Sequence, residues 1–555
     1  MRSWDGKKIE GPHHAIVAAW HRRGPELAVH AVEAFELVLA LLVLVIGLHW
    51  LALKLRWPPA TALLVGGGAL AFVPGLPAIS LDPELALVLF LPPLLMDGAY
   101  YTALGRFRRH LPGILSLAVG AVVFTTLVVG VVVRWIIPDL PWAACFALGA
   151  IVSPPDAVSA RAVLKGVHLP RRLEALLEGE SLLNDATGLI LFRFAVAATL
   201  SGVFHTGEAV QSFAVVAIGG AGVGAAVAAG WIFLAKRLRD PMLIMLITIL
   251  LCWAAYLAGE AVHVSGVIAT VTAGLALGWY QHVILPADVR LRASSAWQIL
   301  VFVLEALVFI LIGFSLRGAI ERIGGIGAIP MSMISVIVAV VITVAAARFI
   351  WIFGSEAILG LARKLGIERA RPLGWRQATV LSWAGMRGVV TLAVPLTLPI
   401  DMPGRDMMLI CAFAVIFATV VVQGSSLGAL IRQIQPVDAD PPAKMAMPAA
   451  EAAMARARLA VIEELAYDAD GTLVHPQMLE EHRKRMRFME RYEQDASAEM
   501  DNLRPHFDVL LKAIAAGRAE LIRIHRAGLI EDEVLHELER DLDVEELAMT
   551  LQRGE

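Results

Sequence analysis

The stretch GESLLNDATG, residues 179–188, sets two carboxylates, two hydroxyls and an amide inside an otherwise apolar run. Ser181 and Asp185 stand four residues apart and therefore share one face of a helix. A hydroxyl and a carboxylate on one face supply hard oxygen ligands, which suit a small cation that has shed its water. Asn184 adds an amide beside them. Asp185 can hold a metal ion or a proton but not both, so one carboxylate can couple two ions by competition. The competing reading of Asp185 is a carboxyl satisfied by an interhelical hydrogen bond.

Two further segments carry an acid near a proline pair. In AIVSPPDAV, residues 150–158, Pro154 and Pro155 break the hydrogen-bond ladder of a helix. Broken helices in transporters face the ion with freed carbonyls and half-helix ends. Ser153 and Asp156 fall at this break; a kink without chemistry is the alternative. In FLPPLLMDGAY, residues 90–100, Asp97 follows Pro92 and Pro93. Asp97 either completes the oxygen shell of a cation or sits in water near the cytoplasmic end of its span. Asp185, Ser181 and Asp97 form the expected cation-binding set. Glu180, Glu305, Arg348 and Arg387 read differently. Arginine keeps its charge and binds carboxylates bidentately, so two acids and two arginines in neighbouring spans suggest buried pairs that fix the helix arrangement. Glu180 is expected to pair with Arg348 or Arg387, and the sequence does not choose. Arg193 receives no role.

These residues need elements to hold them. Of the 555 residues, 58% are hydrophobic and only 17% charged, against about 25% charged in a soluble globule. Apolar runs near the 20 or so residues that cross a bilayer as a helix recur at 35–53, 59–78, 84–103, 112–137, 142–163, 178–200, 211–235, 241–259, 264–284, 298–316, 330–354, 377–399 and 407–431. The first run lacks a basic flank and a small-residue cleavage site, so it reads as a permanent span rather than a signal peptide. With the N-terminus outside, the inner loops carry nineteen Lys and Arg residues, whereas the outer loops carry Arg317, Arg322 and Arg405. That asymmetry obeys the positive-inside rule; Lys7, Lys8, Arg22 and Arg23 run against it. The expected organisation is an N-terminal segment (1–34), a membrane domain (35–432) and a cytoplasmic helical domain (433–555). Helical apolar spacing marks 448–466, 476–495, 502–526 and 530–552, with a turn at DADGT, residues 468–472.

Several function classes drop out. A net charge of -3 gives no case for nucleic acid. Cys145, Cys252 and Cys411 lie far apart in apolar runs and form no disulfide or zinc pattern. The glycines of IGGAGVGAAVAAG, residues 218–230, follow no strand and fit helix packing better than a nucleotide loop. No nucleophile–base pair, metal triad, HExxH or GxSxG occurs in the spans, so an enzyme is not expected, nor a cofactor.

The motifs resemble those of the first monovalent cation/proton antiporter family, the bacterial and animal sodium/proton exchangers, over roughly residues 35–432. GESLLND is similar to the family's sixth-helix signature, FLPPLLMDGAY to its third helix, LEALVFILIGFS (304–315) to its tenth and GMRGVVTLA (385–393) to its twelfth. The resemblance implies an all-α membrane protein of about 13 transmembrane helices, with inverted repeats, two broken helices crossing at mid-membrane and a cytoplasmic helical tail. It further implies a homodimer in a bacterial inner membrane, alternating access by elevator-like movement, and Asp185 as the carboxylate that carries cation and proton. Asn184 in place of a second acid goes with electroneutral exchange. Ser181, Asp97 and Ser153 match ligand positions, and Glu180 with Arg348 matches a structural ion pair. Many members carry Thr-Asp-Pro or a similar triplet at the fifth-helix break. Here Ser153-Pro154-Pro155 stands there and the acid follows as Asp156, which leaves Asp156 either as a ligand or as a counter-charge to half-helix ends. Sodium or lithium is the expected cargo; potassium, or sensing without transport, are the alternatives.

Overall fold

The computed structural model describes residues 36, 38–55, 57–71, 83–156, 169–202, 206–322, 325, 330–367, 371–399, 401–438, 445–468 and 470–553. The chain divides into two compact units, Met1–Ala439 and Asp440–Glu555. Among the described residues all regular structure is helical, apart from a lone bridge between Tyr467 and Leu473.

The first unit runs α1 (Val38–Leu55), α2 (Pro59–Ala71), α3 (Pro83–Tyr101), α4 (Leu104–Ile136), α5 (Trp142–Val152), α6 (Arg171–Ser201) and α7 (Thr206–Ala235). It continues with α8 (Pro241–Ala261), α9 (Gly266–Ile284), α10 (Ala287–Arg322), α11 (Met331–Lys364), α12 (Trp375–Trp383), α13 (Val389–Leu396) and α14 (Arg405–Ile434). Among the described residues nine of these helices are long and apolar enough to cross a bilayer, and α2, α3 and α5 are shorter apolar helices. Each of the thirteen apolar runs meets a helix, but the boundaries shift. The fourth starts early at Leu104, the fifth stops at Val152, and the twelfth divides into α12 and α13. Residues 72–82 and 157–168, where two of the expected spans end, lie outside the described residues.

Local chemistry explains several ends. Asp240 caps α8 by accepting from the Met242 amide at 2.8 Å, and Ser265 caps α9 through Ile268 at 3.2 Å. Proline opens α2, α3 and α8, where a missing N–H costs nothing. Helix α5 ends because Pro154 and Pro155 offer no amide and crowd the residues before them. Pro92 and Pro93, by contrast, lie within a continuous α3.

Buried apolar side chains gather into two clusters. One joins α4, α5, α6 and α11 to α12–α14; the other joins α1, α2 and α7 to α8 and α10, with α3, α9, α13 and α14 contributing to both. Outward-facing Trp135, Val283 and Ile218 are strongly exposed, as a lipid-facing surface requires. Close approach holds the first cluster together at glycine. A Cβ on Gly188 of α6 would strike Pro154, so α6 lies directly on the break of α5. Cys145, Cys252 and Cys411 are buried free thiols.

The second unit holds α15 (Met447–Leu465), α16 (Pro476–Gln494), α17 (Ala496–Arg526) and α18 (Asp532–Arg553). Between α15 and α16 the side chain of Asp468 accepts from the amides of Asp470 and Thr472, at 3.0 and 2.8 Å, and Gly471 adopts φ 78°. That is the turn chemistry which DADGT offers.

Candidate functional site

The site begins where two helices fail. Beyond Val152 the chain passes through Ser153–Asp156 without helix, and between α12 and α13 it passes through Gly385–Gly388. The two gaps are laced together: the Asp156 amide donates to the Met386 carbonyl at 2.7 Å. Arg387 supplies what the end of α5 lacks. Its Nε donates to the Val152 carbonyl at 2.9 Å, Nη2 to the Ser153 carbonyl at 3.1 Å, and Nη1 to Gly385. Helix C-termini carry unmet carbonyls and partial negative charge, and a buried guanidinium answers both. The Arg387 amide in turn donates to Thr419 Oγ1 at 3.1 Å, which fixes the loop on α14. Asp156 does the converse for α13. Its carboxylate lies against Gly388, the residue just before that helix, where a Cβ would stand 2.5 Å from the carboxyl carbon. An anion at a helix N-terminus is stabilising by up to about 2 kcal/mol when partly buried.

Glu180 and Arg348 settle the pairing left open by sequence. Arg348 Nη1 and Nη2 bind the two Glu180 oxygens at 2.5 and 2.8 Å, and Nε donates to the Leu381 carbonyl at 3.1 Å. Both side chains are at most 4% exposed. The pair fastens α6 to α11 and to α12. Arg387 serves backbone carbonyls instead of Glu180. Glu305 is half-buried on α10. Arg193, half exposed on α6, reaches Glu260 of α8 at 3.2 Å.

A cavity of about 30 Å³ opens at the seam, lined by Leu91, Leu94, Leu95 and Gly98 of α3, Pro154 and Asp156 of the first gap, Ser181, Leu182 and Asp185 of α6, and Gly388–Thr391. About 10–15 Å³ of such space admits one water, so the cavity fits roughly two water-sized particles, or a small cation with one water. A second space of about 10 Å³ touches Pro155, Asp156, Ser181, Glu180 and Arg348. Asp156 and Ser181 thus face both spaces. Among the described residues no three His, Cys, Asp or Glu groups form a metal cluster. The donors here are two carboxylates and hydroxyls, the hard set that suits alkali and proton chemistry rather than transition metals.

The structure brings Asp185, Ser181 and Asp156 together and parts the other expected ligands from them. Asp97 is half-buried on α3 and accepts the indole N–H of Trp297 at 3.1 Å; it does not line the cavity. Gly98, the next residue along α3, does line it, and successive helical residues point about 100° apart, so the Asp97 side chain leaves α3 in another direction. Ser153 is buried; its hydroxyl oxygen lies 3.1 Å from that of Thr126 and 3.3 Å from the Ala150 carbonyl. Asn184 is fully buried and donates through Nδ2 to the Pro155 carbonyl, while its Oδ1 has no partner. It therefore braces the break rather than facing the cavity. Thr391, Thr126 and Gly388 escaped the sequence reading. The glycine pair of GMRG was the available signal for Gly388; a lone threonine in an apolar run carries none.

An apolar helical bundle whose charged groups collect at two interrupted helices has the build of a multi-pass secondary transporter. The family model described as the sodium/hydrogen exchanger transmembrane domain matches residues 38–433, and the chain belongs to that family, whose members are transporters rather than catalytic enzymes. The chain is 31% identical over 498 residues to the uncharacterized Na+/H+ exchanger YjcE of Escherichia coli, an alignment covering 84% of this chain and 89% of that one. It is 33% identical over 406 residues to the sodium, potassium, lithium and rubidium/H+ antiporter of Bacillus pumilus, covering 70% of this chain and 60% of that protein's length. In fold it resembles the sodium proton antiporter MjNhaP1 of Methanocaldococcus jannaschii, with a TM-score of 0.56 at 18% identity over 73% of this chain and 99% of the other.

Proposed function

We propose that this protein exchanges a monovalent cation, sodium or lithium first, for a proton across the membrane, with Asp185 binding one or the other. The observation that carries this reading is the small cavity shared by Asp185, Asp156 and Ser181 at the junction of two broken helices. Asp185 and Ser181 lie one turn apart on α6, and Asp156 adds a second carboxylate from the gap. Cation and proton compete for this oxygen set, so loading one releases the other. The seam between two apolar clusters supports alternating access: one cluster can slide past the other while the cavity travels with α5, α6 and α13. Family kinship supports an inverted-repeat core, a homodimer, a bacterial inner membrane and a cytoplasmic tail. The membrane domain is taken as 35–432, after an N-terminal segment of 1–34, with 433–555 as the tail.

Exchange is proposed to be electroneutral, one for one. Asn184, adjacent to Asp185, stays neutral throughout and leaves the cycle without a second adjoining acid. An electrogenic cycle would respond to about 2.3 kcal/mol per charge at about 100 mV, roughly a 50-fold shift in the equilibrium gradient. Proton flux in proteoliposomes, read with a trapped pH dye against Li+, Na+ and K+ under a potassium-free voltage clamp, tests both claims. Asp185→Asn is expected to abolish exchange while the protein still purifies as a folded, monodisperse species; full activity in that variant refutes the assignment. A potassium-preferring exchanger is the second reading, favoured by the breadth of cations named for the Bacillus pumilus relative. Cation binding without flux would point to a sensor.

A further inference from the structure

Most threonine hydroxyls buried within this bundle follow one habit; of the others, Thr61 donates across to the Val420 carbonyl at 3.2 Å and Thr125, away from the cavity, has no hydrogen bond to a described residue. Thr126, Thr187, Thr248, Thr270 and Thr419 each donate to a carbonyl one turn back on their own helix, at 2.7 to 3.2 Å. Thr391 departs from it. It is the third residue of α13, and the position one turn back is Arg387, which lies in the non-helical gap. No helical carbonyl is therefore presented to its side chain. Thr391 is only 1% exposed, yet its hydroxyl makes no hydrogen bond to any described residue, and it lines the cavity that holds Asp185, Asp156 and Ser181. A hydroxyl that borders an internal cavity and has no protein partner is satisfied by what occupies that cavity. The cavity walls contributed by Leu91, Leu94 and Leu95 offer it nothing polar. Thr391 also enters from α13, whereas Ser181 and Asp185 enter from α6 and Asp156 from the first gap, so it borders the space from a separate wall.

We propose that the Thr391 hydroxyl is a cation ligand that sets which monovalent ion the site prefers. The inference rests on the exchanger reading of this cavity and adds to it the determinant of selectivity. A small ion must recover more of its lost hydration from short contacts, so it depends more on the number and placement of oxygens than a large ion does. Removing one neutral oxygen is therefore expected to weaken lithium and sodium more than potassium. Loss of one polar contact to a charge corresponds to about tenfold in affinity.

The test compares wild type, Thr391→Val and Thr391→Ser, each the full chain in proteoliposomes. Apparent KM and kcat are measured for Li+, Na+ and K+ separately. Thr391→Val keeps the branched shape and loses the oxygen; it is expected to raise KM for Li+ and Na+ about tenfold, to leave K+ within about threefold, and to spare kcat. Thr391→Ser keeps the oxygen and is expected to retain the wild-type order of the three ions. If Thr391→Val does not purify as a folded species, Thr391→Ala gives the same comparison. Unchanged KM values, an equal rise for all three ions, or a Thr391→Ser variant that loses the order as the valine does would each overturn the proposal. A wild-type protein that moves none of the ions overturns the exchanger reading, and this proposal with it. A wild type that exchanges normally beside an unaltered Thr391→Val overturns the proposal alone.

Discussion

Gly388→Ala should cripple exchange through a residue that itself carries no chemistry. The added Cβ would stand 2.5 Å from the Asp156 carboxyl carbon, 2.8 Å from its Cβ and closer still to Oδ2, whereas ordinary contact begins at 3.4 Å, so the carboxyl carbon must retreat by about 0.9 Å and Oδ2 by more. Backbone retreat is blocked, because the Asp156 amide is bonded to the Met386 carbonyl at 2.7 Å. The side chain must therefore swing, and it leaves both the start of α13 and the cavity. A displacement near 1 Å at a reacting group costs up to about 100-fold in rate. The expected outcome is a drop of about 10- to 100-fold in kcat/KM for sodium-driven proton flux in proteoliposomes. Gly388 is just outside α13 and its φ is −144°, so it does not occupy the left-handed region that favours glycine. The companion measurement repeats the substitution in an Asp156→Gly background, where the obstructing side-chain atoms, Cβ included, are gone. There the further loss should shrink to less than about threefold, because the two changes act through one contact. A Gly388→Ala protein with wild-type kinetics, or an equal loss in both backgrounds, would refute the placement of Asp156.

Two stability predictions accompany it. Arg348→Ala leaves the Glu180 charge buried and alone, which costs about 3–5 kcal/mol; size-exclusion chromatography after graded heating should show early loss of the folded peak. Glu180→Gln combined with Arg348→Met should recover part of that loss, and no recovery would mean that the pair stabilises by more than mutual neutralisation. Arg387→Met strips the donors from the Val152 and Ser153 carbonyls, at about 1–3 kcal/mol for each buried acceptor. Arg387→Lys should rescue it only in part, since one ammonium lacks the planar fork that reaches both carbonyls; complete rescue would show that charge alone suffices.

Relations within one helix were legible from the sequence. Ser181 and Asp185 share a face because four residues make about one turn, whatever the surroundings. The break after Val152 follows from two prolines without amides, and the apolar runs follow from the bilayer's need for satisfied backbone groups. Glycine and asparagine gave weaker signals, since GMRG does not announce a helix interruption as Pro-Pro does. Relations between helices were not legible, because they depend on which side chains tertiary packing leaves room for. Residue types alone left Glu180 with Arg348 or Arg387 and the family resemblance implied Arg348; the packed bundle shows why, since α11 brings one guanidinium to α6 while the other meets the open end of α5. Packing also turned Asp97 to Trp297, Ser153 to Thr126 and Asn184 to the Pro155 carbonyl. Each had the right chemistry for a ligand, but the rotation of α3 and α6 about their axes, and the path of the chain after Val152, are invisible in composition and gave each another partner. The same packing set Asp156 and Thr391 opposite Asp185, because two distant gaps in the chain had to satisfy each other's unpaired backbone ends.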